Sequence, residues 1–309
     1  MSKKILVVGE LNADMIFSDM EVFPSLGQEI VAGSLHTVLG SSSAICAAGL
    51  ARLGARVDFL GKVGVDYYGE FVTRELKDRG VGIQHIVHDQ VVRTGLTLSL
   101  TYPQDRALVT YLGCIAQFCL ADIKMEVLRG YDHVHVGAYF LQRGLQPGLV
   151  ELFTQAHRLG LTTSLDTGWD PDESWGGEAL LAVLDHVDLF FPNEGEACAI
   201  SEADTVEAAL QVLGRRVKLV VAKLGAKGAV AVHEGQGISC PGFTVDTVDT
   251  TGAGDSFDAG FLFAHVVQEQ PLAEALRFAN GCGALSTTGY GGTGAQPTLR
   301  QVQELLKEQ

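Results

Sequence analysis

Short apolar runs and helix-like segments alternate along almost the whole chain, and that rhythm leaves few folds open. Residues 5–8 are a continuous apolar run ending at Gly9, residues 43–53 a small-residue helix closed by Gly54, and residues 57–60 a second strand. The pattern continues with a helix over 68–77, a strand over 133–136, a helix over 149–159, and strands over 161–165 and 187–191. A helix over 206–213 and a strand over 217–222 extend it. Apolar strands joined by helices require right-handed crossovers and give a mostly parallel sheet with helices on both faces. The expected fold class is α/β, a three-layer α/β/α sandwich in a single domain over 1–309.

Two regions break the rhythm. Residues 15–38 and 91–113 have strand composition with no helix between the strands. Residues 94–102 and 107–112 read as a hairpin turning at Pro103, Gln104, Asp105 and Arg106. Both regions leave the main sheet and return to it, so they are expected to form a small β-sheet lid over the strand ends. That is where an open α/β sheet binds its ligands.

Charge narrows the partners. The net charge of −15 offers no basic field for nucleic acid or an anionic membrane, although it leaves room for a nucleotide bound by local donors and a metal ion. No apolar run approaches the roughly 18 residues of a membrane span. The opening MSKKILVVGELNAD reads as a first strand rather than a signal peptide, which leads us to expect a cytoplasmic protein. The six cysteines are scattered without a C-x-x-C pair, so no zinc site is expected.

The stretch with the most chemistry is 249–266, DTTGAGDSFDAGFLFAHV. Its turn of small residues exposes the backbone N–H groups of Gly252, Ala253 and Gly254, and a helix beginning there adds its positive end. Together they suit an anion, above all a phosphoryl group. Asp255 beside that hole would repel a phosphate, but it is placed to take a proton from an alcohol attacking phosphorus. A lone helix start with an acidic first turn would look much the same. Other polar residues fall just past strand ends, on one expected crevice: Asn12 and Asp14, Asp166, Asn193 and Glu196, and Lys223 and Gly225. Asp249 and Asp255 would follow a strand near 243–248.

Five pieces carry a resemblance: DTTGAGD at 249–255, PNEGE at 192–196, LARLGARVDFLGKVGVDYYGE at 50–70, KLGAKGA at 223–229 and FANGCGALSTTG at 278–289. In this order, over nearly the whole length, they resemble the ribokinase, or PfkB, family of carbohydrate and nucleoside kinases. The resemblance implies a ribokinase-like fold and transfer of a phosphoryl group from ATP to a hydroxyl of a small carbohydrate. It implies Asp255 as the base and Gly252, Ala253 and Gly254 as the anion hole. Asn193 and Glu196 match an N-x-x-E motif that positions Mg2+ through water. Lys223, Gly225, Gly228 and Asn280, with Asn193, fall on the nucleotide side. Asn12, Asp14, Gly40 and Ser41 fall where the family grips acceptor hydroxyls. Asp249, Thr251 and Thr298, with carbonyls of 286–294, fall where many members hold K+.

Departures bear on the substrate. Where members commonly carry Gly-Gly and a sugar-binding Asn, this chain has Leu39, Gly40 and then Ala44, which cannot replace an amide. Ribose in the usual pose is therefore not expected; serines 41–43 could serve another hydroxyl pattern, or the pocket could be larger. Thr167, Gly168, Trp169 and Asp170 replace the Asp-Pro-Asn and Arg of many sugar kinases after Asp166. Tyr139, Phe140 and Gln142 either line the acceptor pocket or belong to the core. A nucleoside kinase and a non-catalytic regulator remain as alternatives. The string GYGGTG at 289–294 lacks a following βαβ unit, and no G-x-x-x-x-G-K-[ST] occurs, so neither dinucleotide binding nor a P-loop is expected. His133 and His135 share one side of a strand and read as packing residues. The strand edges of the lid favour pairing with a second copy, a homodimer.

Overall fold

Each expected apolar run on the main sheet overlaps a strand, although of 187–191 only Leu189–Phe190 is paired as one. The structure, a computed structural model, describes residues 2–102 and 106–308. Its strands are β1 (Lys4–Val8), β2 (Asn12–Ser18), β3 (Ser34–Leu39), β4 (Arg56–Leu60), β5 (Lys62–Gly64), β6 (Val87–Asp89), β7 (Gly95–Thr101) and β8 (Arg106–Tyr111). They continue as β9 (His133–Val136), β10 (Thr162–Leu165), β11 (Leu189–Phe190), β12 (Leu219–Lys223), β13 (Ala229–His233) and β14 (Gln236–Cys240). The main sheet has the order β14-β13-β12-β11-β10-β9-β1-β4 and is parallel from β12 to β4.

Side chains alternate across such a sheet, and β1 shows why the strands are apolar throughout. Ile5 and Val7 enter one core with Leu50, Phe261 and Phe278, whereas Leu6 and Val8 enter the other with Leu152, Phe153 and Leu210. Each fully buried Leu or Phe contributes about 1.5–3 kcal/mol, so a one-residue slip would cost both layers at once.

The antiparallel β13–β14 hairpin at the sheet edge was not expected from the sequence. Glu234 and Gly235 turn it with φ of 50° and 76°, the two-residue geometry that matches strand twist. The expected strand near 243–248 is absent. After Pro241 and Gly242 the chain runs extended without a ladder, and Val248 N–H donates instead to Thr287 O at 2.8 Å.

The lid is a four-stranded sheet, β3-β2-β7-β8. It starts at Asn12 rather than 15, and residues 19–33 carry no strand. Three of the expected hairpin-turn residues, Pro103, Gln104 and Asp105, lie outside the described residues, while Arg106 opens β8. In β7 the alternation is inverted: Thr97 and Ser99 are buried, and Leu96, Leu98 and Leu100 are only half-buried. The hydroxyls face a cavity between lid and main sheet.

His133 and His135 are buried packing residues. Ser164 Oγ lies 2.8 Å from His133 Nε2 and from His135 Nδ1, and burial holds both rings below the usual histidine range. Among the described residues no helix is long and apolar enough to cross a membrane.

Candidate active site

One turn forms the wall between two cavities. Gly252, at φ 71°, caps the helix Ala253–Phe261. On one side Ala253 and Gly254 line a cavity of about 430 Å³, and on the other Gly252 and Asp255 line one of about 200 Å³. Ala253 N–H closes the turn onto Thr250 O at 3.2 Å. Among the described residues, the amides of Gly252 and Gly254 carry no such bond, so they are the donors open to an anion at the helix N-terminus.

Asp255 stands in the first helical turn, and its carboxyl is pushed up to about 7. Burial is the main cause, and the charges of Asp166 and Glu10 add to it, while Lys223 and a hydrogen bond from Ser42 oppose it. A carboxylate held near neutrality is matched to accepting a proton at neutral pH.

The smaller cavity holds most of the expected acceptor residues. Asn12 Nδ2 donates to Asp14 Oδ1 at 2.8 Å and to Thr97 Oγ1 at 3.1 Å, which ties the first lid strand to β7. Burial pushes the Asp14 carboxyl up to about 7, against the Asn12 hydrogen bond and the Arg106 charge. Gly40 lies so close behind it that a Cβ would overlap Asp14 Oδ1. Ser41 lines the cavity and caps the helix Ser42–Leu53: its Oγ accepts from Ala44 N–H at 3.0 Å and donates to Glu10 O at 2.5 Å. Tyr139 does not line this cavity. It is buried, its ring edge-on to Phe140 at 5.2 Å, and Leu141 takes the place at the wall.

Three residues at or beneath this site were not singled out from the sequence, and Ser42, expected with Ser41 and Ser43 as a hydroxyl ligand, has a partner there that was not. Glu10 is buried behind the acceptor cavity and pushed up by burial, and it accepts from Ser43 N–H at 3.0 Å and from Ser43 Oγ. Ser42 hydrogen-bonds Asp255. Arg106 reaches from the lid to Thr251 Oγ1 and comes within 3.7 Å of Asp249 Oδ1. Asp258 lies under the turn, against Lys223. Two carried readable signals: Glu10 follows a strand end, and Asp258 is a charge set between Phe257 and Ala259, past the first turn of its helix.

Lys223, Gly225, Gly228 and Asn280 all line the larger cavity. Gly228, at φ 99°, lies where a Cβ would come within 2.6 Å of Gly242 N. Asn280 Nδ2 donates to Cys240 O and Pro241 O, both at 3.1 Å, and so fixes the extended stretch that forms one wall. The Lys223 ammonium is paired with Asp166 Oδ2 at 2.5 Å and Asp258 Oδ2 at 3.2 Å.

Asn193 and Glu196 form a capping box: Asn193 Oδ1 accepts from Glu196 N–H, and Glu196 Oε2 from Asn193 N–H, each at 2.9 Å. Neither lines the larger or the smaller of these two cavities. Burial first, then Asp166, pushes the Glu196 carboxyl up to about 7. A carboxyl fixed by two local bonds, with Asp166 and Asp255 near it, fits a hydrated Mg2+ held through water, since this ion keeps waters and takes phosphate oxygens from its substrate. Asp249 accepts from Thr251 N–H (2.9 Å), Thr251 Oγ1 (2.7 Å) and Gly291 N–H (2.8 Å), joining the turn to the loop over 289–294. The Thr298 hydroxyl donates to Gln301 Oε1 at 2.8 Å beside the C-terminal helix. Of the expected K+ ligands, Asp249 and Thr251 are thus joined to each other and to the loop that carries the expected carbonyls.

A family model described as pfkB family carbohydrate kinase matches residues 2–299. The chain is 28% identical to ribokinase of Bacillus subtilis over 98% of its own length and 99% of that protein's. It is 30% identical to fructokinase-2 of Zea mays, over 86% of this chain and 84% of that one. The structure of Arabidopsis thaliana ribokinase complexed with ribose and ATP superposes with a TM-score of 0.86 at 26% identity, covering 99% of both chains. A Methanocaldococcus jannaschii nucleoside kinase shares the fold at a TM-score of 0.82 and 24% identity, covering the whole of both chains.

Proposed function

Since the chain belongs to the pfkB family of carbohydrate kinases, phosphotransferases acting on a hydroxyl group, we propose that it moves the γ-phosphoryl group of ATP to a primary hydroxyl of a monosaccharide-sized acceptor. The observation that carries this reading is the turn at 252–255, with a cavity on each side and a carboxylate facing the smaller one. ATP occupies the larger cavity and the acceptor the smaller; the Arabidopsis thaliana ribokinase structure is a complex with ribose and ATP together.

The acceptor hydroxyl gives its proton to Asp255 as its oxygen bonds to the γ-phosphorus. The bond from that phosphorus to the β,γ-bridging oxygen breaks, and ADP leaves with the electron pair. The Gly252 and Gly254 amides and the helix N-terminus stabilise the charge spreading over the phosphoryl oxygens. Asn193 and Glu196 would hold Mg2+ through water, and the ion supplies charge neutralisation on the nucleotide phosphates when bound. Asp14 orients the acceptor, and the lid excludes water that would otherwise hydrolyse ATP.

Acceptor size and chemistry favour a sugar over a nucleoside. About 200 Å³ falls below the roughly 300–1,000 Å³ of sites for drug-sized ligands. Among the described residues the lining has hydroxyls from Ser41, Ser42, Thr97, Ser99 and Thr110 and no aromatic ring to stack on a base. The test is ADP release from Mg-ATP across sugars, sugar acids, polyols and nucleosides. One monosaccharide-class acceptor well above the rest is the expected result. A nucleoside in that position would overturn the acceptor reading, and a flat panel with ATP bound would favour a regulator.

A monovalent cation at Asp249 and Thr251 belongs to this reading, so turnover is expected to be faster in potassium than in sodium-only buffer. Equal rates would assign the ordering of the turn to the hydrogen bonds of Asp249 alone. The lid also presents exposed Leu35, Leu108, Val109 and Tyr111 on β3 and β8, the two edge strands of its sheet. These favour a homodimer through the lid. Sedimentation equilibrium should report a dimer that Val109→Lys weakens, and a monomer at every concentration would remove the proposal.

A further inference from the structure

Beneath the turn between the cavities lies a charged group for which the reaction as described has no use. The Lys223 stem runs under the turn: a Cβ on Gly254 would stand 3.5 Å from Nζ and 3.8 Å from Cδ and Cε. Its ammonium is held by Asp166 and Asp258. Asp166 has what an ionised carboxylate needs, with Gly168 N–H on Oδ1 at 2.7 Å and Lys223 on Oδ2. Asp258 does not. It is 1% exposed, and its Oδ1 has no donor. Its neighbour across the Lys223 ammonium is the Asp166 carboxyl, and two carboxyl groups that share one cation can bond each other only if one carries a proton.

Charge leads to the same arrangement. Facing the pair are Lys223 from β12, Asp255 from the helix that carries Asp258, Glu196 from the helix Glu194–Ser201, the buried Cys46 thiol and His135 from β9. Lys223 is the one cation among them, and full ionisation would crowd like charges in a buried space. Burial pushes Asp258 well above the usual carboxylate range; Lys223 opposes this, and Asp166 and Asp255 reinforce it. Burial also works against ionised Asp166, but the Lys223 charge and the hydrogen bonds outweigh it and hold this group below its ordinary value.

We propose that Asp258 is a positioning residue that remains a neutral carboxylic acid, donating its carboxyl proton to Asp166, so that the pair clamps Lys223 under Gly254. The phosphoryl-binding turn is thereby fixed without a further negative charge beside Asp255. Only the kinetic arm of the test depends on the phosphotransfer reading; the other two measure stability and ionisation without turnover.

Asp258→Asn supplies an amide that makes the same two bonds and has no proton to lose, whereas Asp258→Ala removes both bonds. The Ala variant should lose about tenfold or more in kcat, and the Asn variant should return to within about threefold of wild type, with the acid limb of its pH profile unmoved. A carboxyl that holds its proton more tightly when folded stabilises the fold below the unfolded-state pKa and loses that contribution as pH rises through the folded one. The Asn variant should therefore resist urea at least as well as wild type at alkaline pH. On wild-type protein, an aspartate-labelled infrared band of a protonated carboxyl should persist at alkaline pH, beyond the titration of Asp255 and Asp14.

Three results would each overturn the proposal. The Asn variant could be as slow as the Ala variant, with its acid limb shifted to lower pH; it could be less stable than wild type at alkaline pH; or the labelled band could be missing. If neither variant folds, the infrared measurement decides alone.

Discussion

Asp255→Asn is expected to bind Mg-ATP as wild type does and to lose at least about 100-fold in kcat, the lower range for removal of a general base. The amide fills the same space at the N-terminus of the helix Ala253–Phe261, so the turn and both cavities should survive. It cannot accept the hydroxyl proton. Wild type carries a second signature of the same group. The carboxyl is pushed up to about 7 and only its ionised form accepts a proton, so kcat/KM should rise with pH through that value and level off above it. Isothermal titration with ATP, beside turnover of wild type and variant, checks the first result. Near-normal turnover in the variant would mean that another group takes the proton.

Gly40→Ala should damage the acceptor side alone. A Cβ there overlaps Asp14 Oδ1, and Asp14 is fixed from the other side by Asn12 Nδ2. The carboxylate must leave its place, and with it goes the hydrogen bond it accepts from a hydroxyl of the acceptor. Such bonds are worth about 1.5–3 kcal/mol, or roughly 10–150-fold in kcat/KM for the acceptor. KM for ATP should scarcely change, because Gly40 does not border the larger cavity. Steady-state kinetics with each substrate varied in turn separates the two. An equal rise in both KM values would show that the substitution unsettles the whole site rather than the acceptor grip.

Much of this site could be read from residue order because strand ends converge. Asp14, Asp166, Lys223 and Asp255 follow or occupy separate strands or helices, yet a parallel sheet brings them to one edge. What stayed hidden depended on partners distant in sequence. Lys223 was expected on the nucleotide side, but that Asp166 and Asp258 hold its ammonium could not be read. Tyr139 had the right place after β9, but its ring turned into the core against Phe140. Arg106 was expected in the turn itself, and its reach to Thr251 depends on how the lid folds back. The β13–β14 hairpin was missed because Glu234 adopts a left-handed conformation uncommon for its residue type. The inverted alternation of Thr97 and Ser99 against three leucines was legible, and it marks a strand whose buried face lines a polar cavity rather than a core.

The most direct measurement is phosphorus NMR of the protein with Mg-ATP and its best carbohydrate acceptor. The γ-phosphate signal of ATP should decay in step with one new phosphate-monoester signal, with one ADP formed per monoester and no decay when the acceptor is left out. Conversion of ATP to inorganic phosphate at the same rate with and without acceptor would contradict the account, because the turn at 252–255 would then be serving water rather than an alcohol.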